Sequence, residues 1–207
     1  MNQTILVADD HPLFRQALVL AVERVAPDAR VVEAGTVDRA VAAAAAADDL
    51  ALVLLDLKMP GATGFSGLAL LHAERPHTPI LVVSSAEGMA VAAEAVRFGA
   101  VGFIGKDQDL SAIEHAIEEA LAGKTLEGPA DPEIDPVAAK VASLTPMQLK
   151  VLLGVLEGRL NKQIAFDLSI SEATVKAHMT AVLRKLDVHN RTQAVLAARA
   201  LRLDLVH

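Results

Sequence analysis

The sequence predicts a two-part chain: a doubly wound α/β domain on a five-stranded parallel sheet, followed by a small all-α domain built around a helix-turn-helix. Three observations carry that reading. Across the first 124 residues, short apolar runs alternate with stretches of helical periodicity, the pattern of repeated βα units and a parallel sheet. Residues 125–143, TLEGPADPEIDPVAAKVAS, contain three prolines, four acidic residues and little periodicity, and read as a linker. Beyond them lie four helix candidates, three with capping residues at their starts. The expected domains are 1–124, 125–143 and 144–207.

In the front domain the strand candidates are Ile5 to Ala8, Val31 to Ala34, Leu50 to Asp56, Ile80 to Ser84 and Val101 to Ile104. Helix candidates alternate with them. Leu13, Phe14, Ala17, Leu18, Ala21, Val22 and Val25 fall on one helical stripe, Asp38 to Ala47 is Ala-rich, and Phe65 to Ala73, Glu87 to Phe98 and Ser111 to Ala122 complete the set. In the back domain, Thr145-Pro146-x-Gln148 places Pro at N1 and Gln at N3 of a capping box, and Gly158 stands where that helix would stop. Asn161 to Leu168, the turn Ser169-Ile170 and Ser171 to Leu186 then read as helix, turn, helix, and Asn190-x-x-Gln193 opens a last helix over Thr192 to Leu205.

Composition narrows the functional classes. A 53% hydrophobic fraction in 207 residues is ample for a real core. No apolar run approaches the roughly 18 residues needed to span a bilayer, and Met1 to Asp10 lacks the basic start and length of a signal peptide, so a cytoplasmic protein without membrane contact is expected. With no cysteine, disulfides, thiolate catalysis and Cys-based zinc sites are excluded. With no Trp or Tyr and five Phe there is no platform for stacking single-stranded bases, so a nucleic-acid partner would be a duplex. The net charge of -7 is unevenly spread: residues 1–124 carry 9 Lys/Arg against 17 Asp/Glu, residues 144–207 carry 9 against 5. An acidic front and a basic back suit a regulatory domain tethered to a binder of polyanions.

Ligands of a parallel sheet sit at the carboxyl ends of its strands. There the sequence places Asp9 and Asp10 after the first strand, Asp56 at the end of the third, Ser84 at the end of the fourth and Lys106 just after the fifth. Three carboxylates about 4 Å apart would repel by roughly 4 kcal/mol per pair at an effective dielectric near 20, so the cluster calls for a cation, and all-oxygen ligands suit Mg2+. A carboxylate attacks a phosphoryl group when a metal and a positive side chain neutralise the transferred oxygens. Asp56, central in the sheet, is the expected nucleophile. Asp9 and Asp10 would hold the metal, Lys106 would pair with the acyl phosphate, and the Ser84 hydroxyl would bond a phosphoryl oxygen.

VADDH at Val7 to His11, LLDLKMPGATG at Leu54 to Gly64, VVSS at Val82 to Ser85 and GFIGK at Gly102 to Lys106 together resemble the receiver domain of two-component response regulators. The resemblance implies that Asp56 is the phosphoacceptor, Asp9 and Asp10 the acidic pair, the Lys58 carbonyl a metal ligand, Ser84 the switch hydroxyl and Phe103 the switch aromatic. Lys106 would be the family's lysine. The sequence departs from the pattern at Thr63, Ser85 and Asp107, and Lys58 and Ala86 occupy positions that tune phosphoryl lifetime in the family. An aspartyl phosphatase of the haloacid dehalogenase type would want an Asp two residues beyond the nucleophile, and Lys58 stands there.

In the second helix of the helix-turn-helix, Val175, Met179, Val182 and Leu186 recur at helical spacing and would pack inward, leaving Lys176, Ala177, Thr180 and Arg184 on the outer face. That face carries groups suited to base edges in a major groove, and Lys162, Lys185 and Arg191 are placed to reach phosphates. Leu144 to Val195 resembles the LuxR-type helix-turn-helix of the NarL/FixJ family, in which Lys176, Ala177 and Thr180 would be the base-facing set. Gln148 stands where the family usually has Glu. Val195, Leu196, Ala198 and Leu201 on the last helix would pack either within the domain or between protomers, and the resemblance favours a homodimer in the active state. The implied protein is a non-enzymatic regulator that receives a phosphoryl group from a sensor histidine kinase and binds duplex DNA. A phosphorylation-independent regulator with a vestigial receiver and a protein-interaction adaptor are the alternatives.

Overall fold

The computed structural model describes residues 3–85, 89–125 and 136–200. Its front half alternates β1 (Thr4–Ala8), α1 (Pro12–Val25), β2 (Arg30–Ala34), α2 (Val37–Ala46), β3 (Leu50–Leu55), α3 (Ser66–Glu74), β4 (Ile80–Ser84), α4 (Met89–Arg97), β5 (Gly102–Gly105) and α5 (Leu110–Leu121). All five strands are parallel, in the order β2-β1-β3-β4-β5. Neighbouring connections change direction between β1 and β3, so a crevice opens beyond the carboxyl ends of those two strands.

Alternation along the strands decides which helix covers which face. Ile5, Val7, Leu52, Leu54, Leu81 and Val83 point to one side and are covered by Leu18, Ala21 and Val22 of α1 and Ile113, Ala116, Ile117 and Ala120 of α5. Leu6, Ala8, Val53, Leu55, Ile80 and Val82 point to the other, beneath α2, α3 and α4. The expected stripe on α1 is narrower than the sequence suggests: Leu13 is 89% exposed, because the first turn of the helix overhangs the end of the sheet.

Among the described residues the second half is all helical: α6 (Pro136–Ala142), α7 (Pro146–Leu156), α8 (Asn161–Asp167), α9 (Glu172–Leu186) and α10 (Arg191–Ala200). The Thr145–Gln148 capping box forms in both directions. Gly158, with φ of 77°, takes the left-handed conformation that ends α7. Ser171 caps α9 by accepting from the Thr174 N–H at 3.0 Å, and Asn190 does the same for α10 through the Gln193 N–H at 2.9 Å.

Helix α6 corrects the reading of 125–143 as an unbroken linker. Ala138 and Val141, three residues apart on one face, are buried against the helical domain, an apolar pair that the proline and acid content of the stretch obscures. Lys140 pairs with Asp187 at 3.6 Å, and Lys185 Nζ donates to the Ser143 carbonyl at 2.6 Å, tying α6 to the end of α9.

The two halves touch through α3. This helix, SGLALLHAE, has buried residues all round its first two turns, from Ser66 to Leu71. One side lies on the sheet and the other faces α7 and α6. A helix apolar on every side is what burial between two layers requires. Gly61, Ala62 and Thr63 of the loop entering α3, with Ser66 at the first residue of that helix, share a cleft with Leu153, Leu156, Glu157 and Arg199.

Candidate functional site

The sheet brings Asp9, Asp10, Asp56, Ser84 and Lys106 to one point at the β1/β3 crevice. Asp9 and Asp56 are buried because the backbone itself holds them: the Asp9 N–H donates to the Ala34 carbonyl at 3.0 Å and the Asp56 N–H to the Ala8 carbonyl at 2.8 Å, extending the β1 ladders by one residue. Arg15 from α1 reaches back to donate to the Asp9 carbonyl at 2.7 Å and pairs with Glu33 at 2.9 Å, clamping the start of the loop.

Both oxygens of Asp56 are engaged. Its Oδ1 accepts from Ser84 Oγ at 2.8 Å and from the Lys58 backbone N–H at 3.1 Å, while Oδ2 faces Lys106 Nζ at 2.7 Å. Lys106 also stands 2.6 Å from Asp9 Oδ2 and lies over the Phe14 ring at 4.7 Å, so one ammonium is shared between two buried carboxylates on an apolar floor. The Lys58 side chain is exposed.

One lysine does not balance three acids. Asp9 Oδ2 and Asp10 Oδ1 are shielded from solvent and accept no well-aligned hydrogen bond, and Asp9, Asp10, His11 and Asp56 offer ligand atoms all within 4.8 Å of one another. Desolvated anionic oxygens at that spacing suit a hard divalent cation. His11 is the residue that sequence reasoning passed over. It belongs to the VADDH segment and its ring turns into the acidic cluster, a placement signalled only by its position between the acids and Pro12.

Phe103 lies apart from this cluster. From β5 it pairs in register with Val82 of β4 and packs, half-buried, on the α2–α4 side of the sheet. Ala86 falls outside the described residues, and the Lys106–Asp107 bond is trans.

In the helical half, Val175, Met179, Val182 and Leu186 are buried and Lys176, Ala177, Thr180 and Arg184 form an exposed strip along α9. Thr180 Oγ1 donates to the Lys176 carbonyl at 3.0 Å. Lys162 is exposed at the start of α8. Two of the expected phosphate contacts are already occupied. Lys185 bonds the Ser143 carbonyl, and Arg191 donates to the Arg159 carbonyl at 2.5 Å and to Asn161 Oδ1 at 3.1 Å, so both fasten helix ends within the domain. On α10, Ala194 and Ala198 are buried inside the domain, Leu196 is 62% exposed and Val195 half-buried, which splits the expected face; Leu201 lies outside the described residues.

Comparison with known proteins agrees with this division. Residues 5–118 match the response regulator receiver domain, and residues 142–198 match the luxR family of bacterial regulatory proteins. The glycerol metabolism activator of Pseudomonas putida is 41% identical over 94% of each chain. The nitrate/nitrite response regulator NarL of Escherichia coli K12 is 32% identical over 93% of each. The two-component response regulator RcsB in its DNA complex superposes with a TM-score of 0.55 at 22% identity, covering 97% of this chain and 99% of that one, and supports the fold.

A receiver joined to a LuxR-type helix-turn-helix domain defines a two-component response regulator that acts on transcription. The chain belongs to the NarL/FixJ family of these regulators. No helix among the described residues is long and apolar enough to cross a membrane.

Proposed function

We propose that Asp56 accepts a phosphoryl group from a sensor histidine kinase in the cytoplasm and that its modification controls duplex DNA binding by α9. The observation that carries this is the state of the Asp56 carboxylate, buried, with a hydroxyl on one oxygen and an ammonium on the other. In the reaction Asp56 Oδ2 attacks phosphorus and the donor's phosphoryl–nitrogen bond breaks, leaving an acyl phosphate and a free imidazole. Lys106 Nζ, already shared between Asp9 and Asp56, neutralises the transferred oxygens, and Ser84 Oγ follows one of them. Asp9, Asp10, Asp56 and the Lys58 carbonyl would hold Mg2+, which supplies charge neutralisation along the transfer coordinate. The exposed side chain of Lys58 supports a stoichiometric acceptor over a phosphatase, since no acid/base stands there to speed hydrolysis.

On the DNA side, Lys176, Ala177, Thr180 and Arg184 enter the major groove and Lys162 reaches a phosphate, with two protomers on two half-sites about one helical turn apart. Phe103 follows the movement of Ser84 and carries it to the α4–β5 side. The proposed units are a receiver over 1–124 and a DNA-binding domain over 144–207, with α6 attached to the latter. Incubation with acetyl phosphate and Mg2+ should label the wild-type chain to about one equivalent and leave Asp56→Asn unlabelled. Equal labelling of the two would refute the assignment, and repeated turnover of a generic phosphoester would favour the phosphatase.

A further inference from the structure

His11 is the N-cap of α1, and a polar N-cap side chain ordinarily turns inward to accept a hydrogen bond from its own helix. This one makes no such bond. Its backbone N–H donates to Asp9 Oδ1 at 2.8 Å, and Pro12 at the first helical position fixes the turn that follows, so the ring is carried over the acidic cluster instead. Nδ1 stands 2.8 Å from Asp10 Oδ1, 3.5 Å from Asp9 Oδ1 and 4.0 Å from Asp56 Oδ2.

Those distances have the form of a coordination shell. Ligand atoms each about 2.1 Å from an octahedral ion are separated by about 3.0 Å when adjacent and about 4.2 Å when opposite. The three separations fall in or close to that range. A ring placed only to pair with Asp10 has no reason to approach Asp9 and Asp56, which have no exposed side-chain surface. The donor chemistry then shifts. Three carboxylates are an oxygen site suited to magnesium, whereas three carboxylates with one imidazole are a mixed oxygen–nitrogen site that favours first-row transition ions.

We infer that His11 Nδ1 is a direct ligand of the divalent cation held by Asp9, Asp10 and Asp56, and that it raises the site's preference for manganese and its heavier neighbours over magnesium. The inference rests on the reading of these three acids as the metal site, and the test separates the two. The full-length protein is loaded with Mn2+ and studied by pulsed electron paramagnetic resonance, comparing wild type, His11→Ala and His11→Asn; the asparagine variant keeps a good N-cap. Wild type should show directly coordinated nitrogen, replaced by the 15N pattern when the protein is grown on 15N-histidine, and both variants should bind Mn2+ without it. Competition titrations should show the Mn2+/Mg2+ affinity ratio falling about tenfold in both variants. Bound Mn2+ with no coordinated nitrogen in wild type, or the same nitrogen signal in the variants, overturns the role of His11 and leaves the acidic site standing. Failure of wild type to bind Mn2+ or Mg2+ at all overturns both.

Discussion

Lys106 is the residue on which the front-half site balances. Its side chain is 11% exposed and its ammonium serves Asp9 and Asp56 together, two carboxylates with no exposed side-chain surface. Removing one member of such a group leaves buried charge without compensation, at a cost of about 3 kcal/mol. Lys106→Met should therefore lower stability by about that amount in chelator, and millimolar Mg2+ should restore part of it, because a divalent ion replaces the missing positive charge. Urea unfolding with and without the ion measures this. A variant indifferent to Mg2+ would mean that the acids do not hold a cation.

His72 on α3 provides a second, independent residue-scale effect. Burial holds its imidazole below the ordinary value of 6.5, with the charge of His77 adding in the same direction. A group with a depressed folded pKa binds protons more readily when unfolded, so stability is fully present above about pH 6.5 and is lost as pH falls below it. His72→Gln should flatten the decline in Tm between about pH 7 and about pH 5.5. An unchanged slope would assign that decline to other histidines. Gly99, with φ of 94°, leaves the space the ring occupies, since a Cβ there would come within 2.6 Å of His72 Nδ1.

At the scale of elements, the regular alternation of apolar runs made all five strands legible: β1, β4 and most of β3 are buried on both faces and their composition reports that directly, while the partly exposed edge strands β2 and β5 still carry a short apolar run. The capping residues Thr145, Ser171 and Asn190 located three helix starts to within a residue for an equally local reason. Helix α6 was hidden because its two buried residues are short and surrounded by prolines and acids, and the exposure of Leu13 depends on where the sheet ends, which no local pattern encodes. The acidic site was legible because strand ends announce it; the orientation of His11 was not, since a ring's direction is set by backbone torsions at the cap. For α9, whose outer strip carries Lys176 clear of other side chains, Lys176→Ala should weaken binding to a selected operator by about 1 to 3 kcal/mol and relax preference at one base position. A uniform loss across all sequences, with a shallower salt dependence, would instead place Lys176 on a phosphate.

Across the whole molecule, the sequence indicated two domains and a tether, and the sign that they adhere was easily missed. The sign was present in α3, whose leucines leave no polar face, and its meaning depended on knowing that a second layer lies across it. The loop that enters α3 begins directly after Asp56 and borders the cleft containing Leu153 and Arg199, so the acidic cluster and the helical half are joined by one continuous segment. Leu153→Asp should loosen this contact, seen as a larger radius of gyration in solution and faster proteolysis between residues 125 and 136, with phosphoryl uptake retained. Unchanged dimensions would show that the contact contributes little to holding the halves together.

The leucine-rich character of α3 also bears on what separation of the halves would entail. Drawing the helical domain away would uncover an oily strip containing Leu70, now 6% exposed, beside Gly61 of the loop that follows Asp56. Water wets such a strip reluctantly, so a parted molecule gains by finding a new cover for it. The receiver cut free at residue 124 would carry the same strip permanently bare, and its tendency to self-associate would reveal how firmly the intact chain keeps itself shut.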